Sequence, residues 1–390
     1  MVTQAFATKT MFLSRKNAAV NGYWGVALDI GYSSVKGFSQ NAVFSFPSFA
    51  RKSTGRFVAI GDPAPQDILY RDEQGVWNVG ASALAALSSD DRNDSLDTLF
   101  GRNRYFSPMF LVLCRTGFGL GMMTNELGSP EGKKLTLQTG LPPAYLDRDA
   151  QYIKEALTGR HRFELRVGRD PWTAFDFELD SSSIRVMPQP MGSLLGVALD
   201  NECRQTPEGT SCLAANLLVL DAGFGTVDVV NIRRREIVSS ESFDDVGMKA
   251  VFAEAAREIN RTYNAEVQVH TIQKCLQTGY VQSFDRRTMS SRQEPIAQMI
   301  VAANQKVCNA VLERIKTMYN NLIDYDYLIV TGGTGAAWFD IIRDHFKGME
   351  TLKVIAANQN DMLPYIYSNV RGYYLFLVGA LRKAAKTNAN

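Results

Sequence analysis

Three short apolar runs, each followed at once by a glycine-rich turn, dominate the pattern of this 390-residue chain. The runs end at Ile30, Leu220 and Val330. The second and third are continuous aliphatic runs, the first is interrupted by Asp29, and all three are bounded by glycine, which predicts buried strands. Elsewhere, apolar residues recur at helical spacing, as they do between Met248 and Ile259. Strands that alternate with helices predict an α/β fold, and the length of the chain fits two domains of similar size.

Two of these turns repeat one chemical arrangement far apart in the chain. Asp29 is followed by Gly31, and Asp221 is followed by Gly223. Glycine lets backbone amides approach an anion closely, and a carboxylate beside a phosphate is suited to hydrated Mg²⁺. Lys36 adds a positive charge that can reach phosphate oxygens. The repetition therefore predicts a duplicated domain with a nucleotide between the two copies.

Other nucleotide-binding motifs do not fit the chain. The segment 128–133 contains two glycines and a lysine, but their spacing is wrong for a P-loop. In the segment 117–121, the third glycine comes one residue too early for the dinucleotide fingerprint. The acidic partner of that fingerprint is also missing.

The three turns, in this order, resemble the phosphate-1, phosphate-2 and adenosine motifs of the actin, sugar kinase and heat-shock chaperone ATPase superfamily. Three further segments, residues 137–143, 184–190 and 368–373, are similar to segments of bacterial actin-like plasmid-segregation proteins of the ParM/StbA type. The first of them contains the sequence TGLP. The resemblance extends from about Gly25 to Leu381, which is most of the chain.

The resemblance implies an actin-like fold: two similar domains, each with a mixed five-stranded sheet and helices, and a nucleotide in the cleft between them. We expect a flexible arm (1–22), domain I (23–216), an inserted subdomain in it (about 46–104), domain II (217–365), a mostly helical insertion in that domain (about 242–323), and a C-terminal helix that packs back on domain I (366–386).

The resemblance also implies roles for individual residues. Asp29 and Asp221 would bind Mg²⁺ through water, and Gln189 and Asp221 would form the catalytic pair. The β- and γ-phosphates would be held from two sides by Gly31, Ser33, Ser34, Lys36, Gly223, Phe224, Gly225 and Thr226. The adenosine and α-phosphate would lie against Gly332, Gly333 and Thr334.

Two positions depart from the pattern of the related ATPases. Gln189 stands where ParM has a glutamate and eukaryotic actin a glutamine, so it can orient the attacking water but cannot accept its proton. Phe224 stands where glycine is common, although its backbone amide is still available to phosphate.

The implied function is ATP-dependent assembly into a filament, with ATP hydrolysis, that segregates plasmid DNA through a DNA-binding adaptor. The partners would be further copies of the chain, stacked head to tail, and the adaptor. A net charge of +2 gives no electrostatic footprint for direct nucleic-acid contact. The one local basic cluster, residues 233–235, is expected in a solvated hairpin turn.

Two alternatives stay open. One is a small-molecule kinase of the same superfamily. The other is a cell-shape or division actin homologue that uses residues 373–386 as a basic amphipathic membrane contact. No segment approaches the length of a membrane span. The five cysteines form no CxxC pair, so we expect a reduced, cytoplasmic protein. Membrane contact is not expected.

Overall fold

The computed structural model describes residues 4, 6, 10–53, 63–85, 107–244, 246–285 and 287–389. Its strands are β1 (Met11–Ser14), β2 (Tyr23–Ile30), β3 (Ser34–Ser39), β4 (Ala42–Pro47), β5 (Ala50–Lys52), β6 (Ile68–Asp72), β7 (Gly75–Val79), β8 (Lys134–Leu141), β9 (Gly159–Val167), β10 (Thr173–Leu179), β11 (Ile184–Pro188), β12 (Leu217–Ala222), β13 (Thr226–Arg233), β14 (Glu236–Asp244), β15 (Tyr280–Asp285), β16 (Ser290–Pro295), β17 (Tyr327–Thr331) and β18 (Lys353–Ala356).

Its α-helices are α1 (Ala81–Ala85), α2 (Pro108–Met122), α3 (Leu146–Leu157), α4 (Gln189–Ala198), α5 (Pro207–Ala214), α6 (Met248–Tyr263), α7 (Val269–Cys275), α8 (Ala297–Met318), α9 (Gly333–Phe346) and α10 (Ser368–Ala389). The chain divides into two compact units. Unit I comprises residues 8–206 and 367–390, and unit II comprises residues 1–7 and 207–366.

The main sheet of unit I has the strand order β1-β4-β3-β2-β8-β11. Strand β2 pairs antiparallel with β3 and parallel with β8, so the sheet is mixed. Helix α2 packs on one face, where Gly117 and Gly121 leave room for the side chains of Leu28 and Val26. Helix α10 packs on the other face, where Leu377 lies against Gly25. Because helices cover both faces, β2 is a continuous buried run.

This sheet contains a sixth strand in addition to the five that the resemblance implied. Strand β1 pairs antiparallel with β4, with Met11 opposite Ser45 and Ser14 opposite Ala42. The segment 1–22, expected to be a flexible arm, therefore contains an edge strand. The apolar residues Met11–Leu13 supply the backbone that extends the sheet, a long-range pairing that local periodicity does not show.

A second sheet in unit I has the order β10-β9-β6-β7-β5. The insertion expected at 46–104 supplies only β5, β6 and β7, because β9 and β10 come from residues 159–179. Strand β9 pairs antiparallel with β6, which joins the two segments. The remainder of the expected insertion, residues 54–62 and 86–104, lies outside the described residues.

The main sheet of unit II has the order β14-β13-β12-β17-β18 and is mixed. All six residues of β12 are buried. Helices α6 and α8 pack together, and the apolar positions of α6 from Met248 to Ile259 face the core. The insertion at 242–323 is mostly helical and also contains the β15–β16 hairpin. The main segment of unit II begins with α5 at Pro207, ten residues before the expected boundary at 217.

The C-terminal helix α10 belongs to unit I. It packs on α4, where the backbones of Gly192 and Gly372 meet with no room for a Cβ atom. Buried Arg371 donates hydrogen bonds to the carbonyl oxygens of Gly196 at 2.6 Å and Leu199 at 3.1 Å. None of the helices in the described ranges combines the length and apolar character that crossing a membrane requires.

Candidate functional site

The first glycine turn connects β2 to β3 in unit I. Asp29, near the end of β2, is only 4% exposed, and it lies opposite Lys36 in the ladder. Lys36 Nζ donates to Asp29 Oδ2 at 3.1 Å. The amide of Gly31 donates to the carbonyl of Ser34 at 3.1 Å, which closes the turn. A Cβ atom at Gly31 would lie 2.8 Å from Lys36 Nζ and 3.1 Å from the carbonyl oxygen of Ser34, so the end of the lysine side chain would have to shift.

Gln189 joins this group from a distant part of the chain. It is the first residue of α4, immediately after the end of β11 at Pro188. Its Nε2 donates to Asp29 Oδ1 at 3.3 Å. Asp29 thus accepts a hydrogen bond from Lys36 on one carboxylate oxygen and from Gln189 on the other. The amide of Gln189 is held at a strand-to-helix junction, where helix N-terminal amides can also meet an anion.

The second glycine turn connects β12 to β13 in unit II. The amide of Gly223 donates to the carbonyl of Thr226 at 2.9 Å. Phe224, the departure noted above, turns its ring onto Phe252 of α6 with 6.2 Å between centroids. Because the ring packs against the unit's own helix, the aromatic side chain at this position leaves the backbone of the turn in place.

The third turn, between β17 and α9, packs against the second. Gly332 has a φ of +84°, and a Cβ atom there would clash with the carbonyl oxygen of Ala222 and lie 2.6 Å from Asp221 Oδ1. The Thr334 hydroxyl donates to the carbonyl of Gly223 at 2.6 Å. Gly333 begins α9. Thr334 therefore positions the second turn through its backbone.

Asp228, on β13, is a buried acid beside this turn. It lies opposite Asp221 in the β12–β13 ladder. Thr226 donates to its Oδ2 at 3.3 Å, and the Ser242 hydroxyl donates to its Oδ1. Burial, with a further contribution from the negative charge of Asp221, raises the pKa of Asp228 to about 7 in spite of these hydrogen bonds. Unit II therefore carries a carboxyl group that titrates near neutral pH next to a candidate Mg²⁺ ligand.

Two further residues support the turns and have no predicted role. The Ser48 hydroxyl donates to the carbonyl of Gly31 at 2.7 Å, and its amide donates to the carbonyl of Ser33 at 3.1 Å. Gly247, before α6, lies so close to the carbonyl oxygens of Gly223 and Phe224 that a Cβ would not fit. The position of Gly247, directly before a helical pattern, could have indicated its role from the sequence. Nothing local in the sequence indicates the role of Ser48.

The predicted site residues thus form two groups, one in each unit. Asp29, Gly31, Lys36 and Gln189 lie together in unit I, with Ser33 and Ser34 in the same turn. The group in unit II comprises Asp221, Gly223, Phe224, Gly225, Thr226, Gly332, Gly333 and Thr334.

Each group fits the chemistry of a Mg²⁺-bound phosphate. A Cβ is excluded at Gly332, beside the Asp221 carboxylate, and Gly31 lies two residues after Asp29, so a glycine turn adjoins a carboxylate in each unit. Within the described ranges, no three His, Cys, Asp or Glu side chains are placed to hold a metal ion by themselves. One or two carboxylates with water and substrate phosphates is the arrangement typical of Mg²⁺.

Comparisons with known proteins bear on the fold of the chain. Residues 27–192 match the family described as actin-like proteins, N-terminal domain. No curated protein matches the chain in sequence.

Solved structures of similar fold cover nearly the whole chain. A 15-stranded ParM filament from Clostridium botulinum is 18% identical over 91% of this chain and 99% of that chain, with a TM-score of 0.66. The apo psk41 ParM protein is 19% identical over 94% and 100%, with a TM-score of 0.65. An archaeal actin homologue, Ta0583, in complex with ADP is 18% identical over 93% and 99%, with a TM-score of 0.60.

These comparisons confirm the predicted α/β, actin-like fold and the resemblance to bacterial actin-like proteins. At these identities, the solved structures establish the fold of the chain and not its activity.

Proposed function

Because the chain has the actin-like fold and its residues 27–192 match the N-terminal domain of actin-like proteins, we propose that it is an ATPase that assembles into filaments when it binds ATP. We further propose that the filament moves plasmid DNA through a DNA-binding adaptor. The observation that carries the proposal is the repeated site: an Asp beside a glycine turn in each unit, with Lys36 and Gln189 on one of the two carboxylates.

In this proposal, Asp29 and Asp221 would bind Mg²⁺ through water, and the glycine turns would hold the phosphates through backbone amides. Bound Mg²⁺ would neutralise charge on the phosphate oxygens, which is the main requirement of phosphoryl transfer. Lys36 exchanges its contact with Asp29 for the phosphates, because a trianionic group is the stronger partner for its ammonium.

Gln189 is proposed to position the attacking water. Its amide is fixed at the start of α4 and bonded to Asp29, so its orientation is set before the nucleotide arrives. An amide cannot take the proton of the water, so hydrolysis rests on positioning and on charge neutralisation. This predicts slow hydrolysis, which suits a nucleotide that acts as a timer for assembly.

Self-association follows from the same proposal. A fold neighbour of this chain is a 15-stranded filament, and a head-to-tail contact that does not close on itself generates such a polymer. The near-balanced charge of the chain, +2 overall, favours an adaptor over direct contact with DNA. We place the protein in the cytoplasm, where ATP and Mg²⁺ are available.

The test is phosphate release from Mg-ATP measured per subunit over a series of protein concentrations. A polymer-coupled ATPase has a rate per subunit that rises above a threshold concentration, because only assembled subunits hydrolyse rapidly. ADP formation that depends on an added hydroxyl acceptor, without matching phosphate release and at a rate per subunit that is constant with concentration, would instead identify a small-molecule kinase.

A further inference from the structure

The tip of the β13–β14 hairpin in unit II is a charged and apolar surface that the proposed site does not use. The two turn residues, Arg234 and Arg235, are exposed and have φ values of +50° and +71°. A two-residue turn with positive φ at both positions normally takes Asn and Gly, because most other residues are strained at positive φ. Arginine at both positions keeps two cations at the tip in spite of this preference.

Two apolar residues follow these cations on β14, after the exposed Glu236. Ile237 and Val238, at the start of β14, are 48% and 58% exposed. Successive strand residues point to opposite faces, so exposure of both shows that this end of the hairpin extends beyond the core. Strand β14 is also the edge of its sheet. Arg233 differs from its neighbours, since its guanidinium lies 5.0 Å from the ring of Tyr325. We call Arg234, Arg235, Ile237 and Val238 the hairpin tip.

A groove of about 790 Å³ lies in unit I between the end of α2 and the strand β10. Its apolar wall is formed by Met122, Leu135, Phe175 and Phe177. None of these residues belongs to the nucleotide site described above. We call this cavity the α2–β10 groove.

The rim of the groove is acidic. Glu131 and Asp170 line it, and neither carboxylate has an ion-pair partner within the part of the chain that the structure describes. Asp176 also lines it but is paired with Arg160 at 2.8 Å and Arg162 at 3.0 Å. Lys133, a cation of the lining, lies 4.7 Å from the ring of Trp24.

The end of helix α2 adds to this negative potential. The helix spans fifteen residues and ends at Met122, on the wall of the groove. The carbonyl end of a helix carries partial negative charge and favours a cation nearby. Two free carboxylates, a helix C-terminus and an apolar wall therefore suit a ligand that combines cations with aliphatic side chains.

We propose that the hairpin tip of one copy of this chain docks in the α2–β10 groove of a second copy. Arg234 and Arg235 meet Glu131 and Asp170, while Ile237 and Val238 cover the apolar wall. The contact joins two different surfaces of identical chains, so it is heterologous and propagates from copy to copy. It rests on the proposed function in that it supplies a subunit contact for the filament.

Charge reversal tests the contact on both sides. A hairpin variant carries Arg234→Glu and Arg235→Glu, and a groove variant carries Glu131→Lys and Asp170→Lys. A matched control carries Arg292→Glu, which changes an exposed arginine on the separate β15–β16 hairpin of unit II. Sedimentation of each protein with Mg-ATP, over a concentration series, measures the threshold for assembly.

Each variant alone should raise the threshold at least ~10-fold, because like charges then face each other in the contact. An equimolar mixture of the two variants should return to within ~3-fold of the wild-type threshold, since every hairpin tip then meets a groove of opposite charge. The control should assemble as the wild type does. Equal affinity of all variants for a fluorescent ATP analogue shows that the fold and the site are intact.

A mixture that assembles no better than its components would overturn the contact, as would wild-type assembly by the groove variant alone. Binding of DNA or of an acidic adaptor to the hairpin tip, without rescue by the groove variant, would also overturn it and reassign the tip.

If the wild type does not bind nucleotide but the mixture still associates, the contact stands and the proposed function fails. If the wild type binds ATP and never associates, the contact fails.

Discussion

Asp221 and Asp228 face each other across neighbouring antiparallel strands, and the second of them is buried with a pKa raised to about 7. Two carboxylates in register repel, so one of them is driven toward its neutral form. Asp221, at the mouth of the second glycine turn, is the one with a proposed role in Mg²⁺ binding. Burial, with a smaller contribution from the negative charge of Asp221, thus raises the pKa of Asp228.

This pair predicts a pH dependence for Asp228→Asn. The folded pKa, about 7, lies above the ordinary value of 3.8, so the stabilising contribution of the neutral acid is complete below about pH 4 and is lost as the pH rises through 7. At pH 8 the wild type has lost this contribution in full, and the asparagine variant should be more stable by on the order of 1–3 kcal/mol.

Urea unfolding of both proteins at pH 5 and pH 8, without nucleotide and with chelator, measures the difference. The advantage of the variant should be small at pH 5 and larger at pH 8. An advantage that is the same at both pH values would show that Asp228 does not titrate in this interval.

Asp221→Ala separates function from stability. Removal of the proposed Mg²⁺ ligand should lower the rate of ATP hydrolysis at least ~100-fold, since charge stabilisation by a metal contributes several kcal/mol. The folded protein should not lose stability at pH 8, because removal of Asp221 relieves one of the two negative charges, the other being Asp244, that raise the pKa of Asp228. Phosphate release measures the rate of hydrolysis, and urea unfolding measures the stability. Hydrolysis at the wild-type rate would reject Asp221 as a Mg²⁺ ligand.

Gly332→Ala should disrupt the third turn. The residue has a φ of +84°, and a Cβ would clash with the Ala222 carbonyl and approach Asp221. We expect a loss of stability on the order of 2 kcal/mol, with weaker ATP binding. The backbone of residue 332 would be strained, and the Ala222 carbonyl and the Asp221 carboxylate would be displaced. Gly348→Ala is the matched control, since no atom lies within 4 Å of its added Cβ. Thermal unfolding should distinguish the two, and equal melting temperatures would refute the packing argument.

Gln189→Ala should slow hydrolysis and spare binding. The side chain donates to Asp29 but is proposed to act on water, so the rate should fall by ~10- to 100-fold while the affinity for ATP stays within ~3-fold. Single-turnover phosphate release, with fluorescence titration for affinity, separates the two effects. Gln151→Ala, on the exposed face of α3, is the control. An equal loss of affinity and rate would assign Gln189 to nucleotide binding instead.

The glycine turns could be predicted from the sequence because their chemistry is local. Asp29, Gly31 and Lys36 lie within eight residues, and ladder pairing alone brings the lysine to the carboxylate. Gln189 reaches Asp29 from 160 residues away, and only the family resemblance placed it there.

The parts that were not predicted depend on long-range pairing. Strand β1 joins the sheet through β4, and the β9–β10 hairpin joins the segment 68–72 through β9. In neither case does hydrophobic periodicity show which strand is the partner. The buried state of Asp228 likewise depends on Ser242, which is supplied by the next strand.

The most direct test of the central claim is sedimentation of the purified chain with Mg-ATP, with Mg-ADP and without nucleotide, over a series of protein concentrations. The account predicts pelleting above a threshold concentration with Mg-ATP, no pelleting with Mg-ADP at the same concentrations, and loss of the effect in Asp221→Ala. Tight binding of ATP with no assembly at any concentration would contradict it.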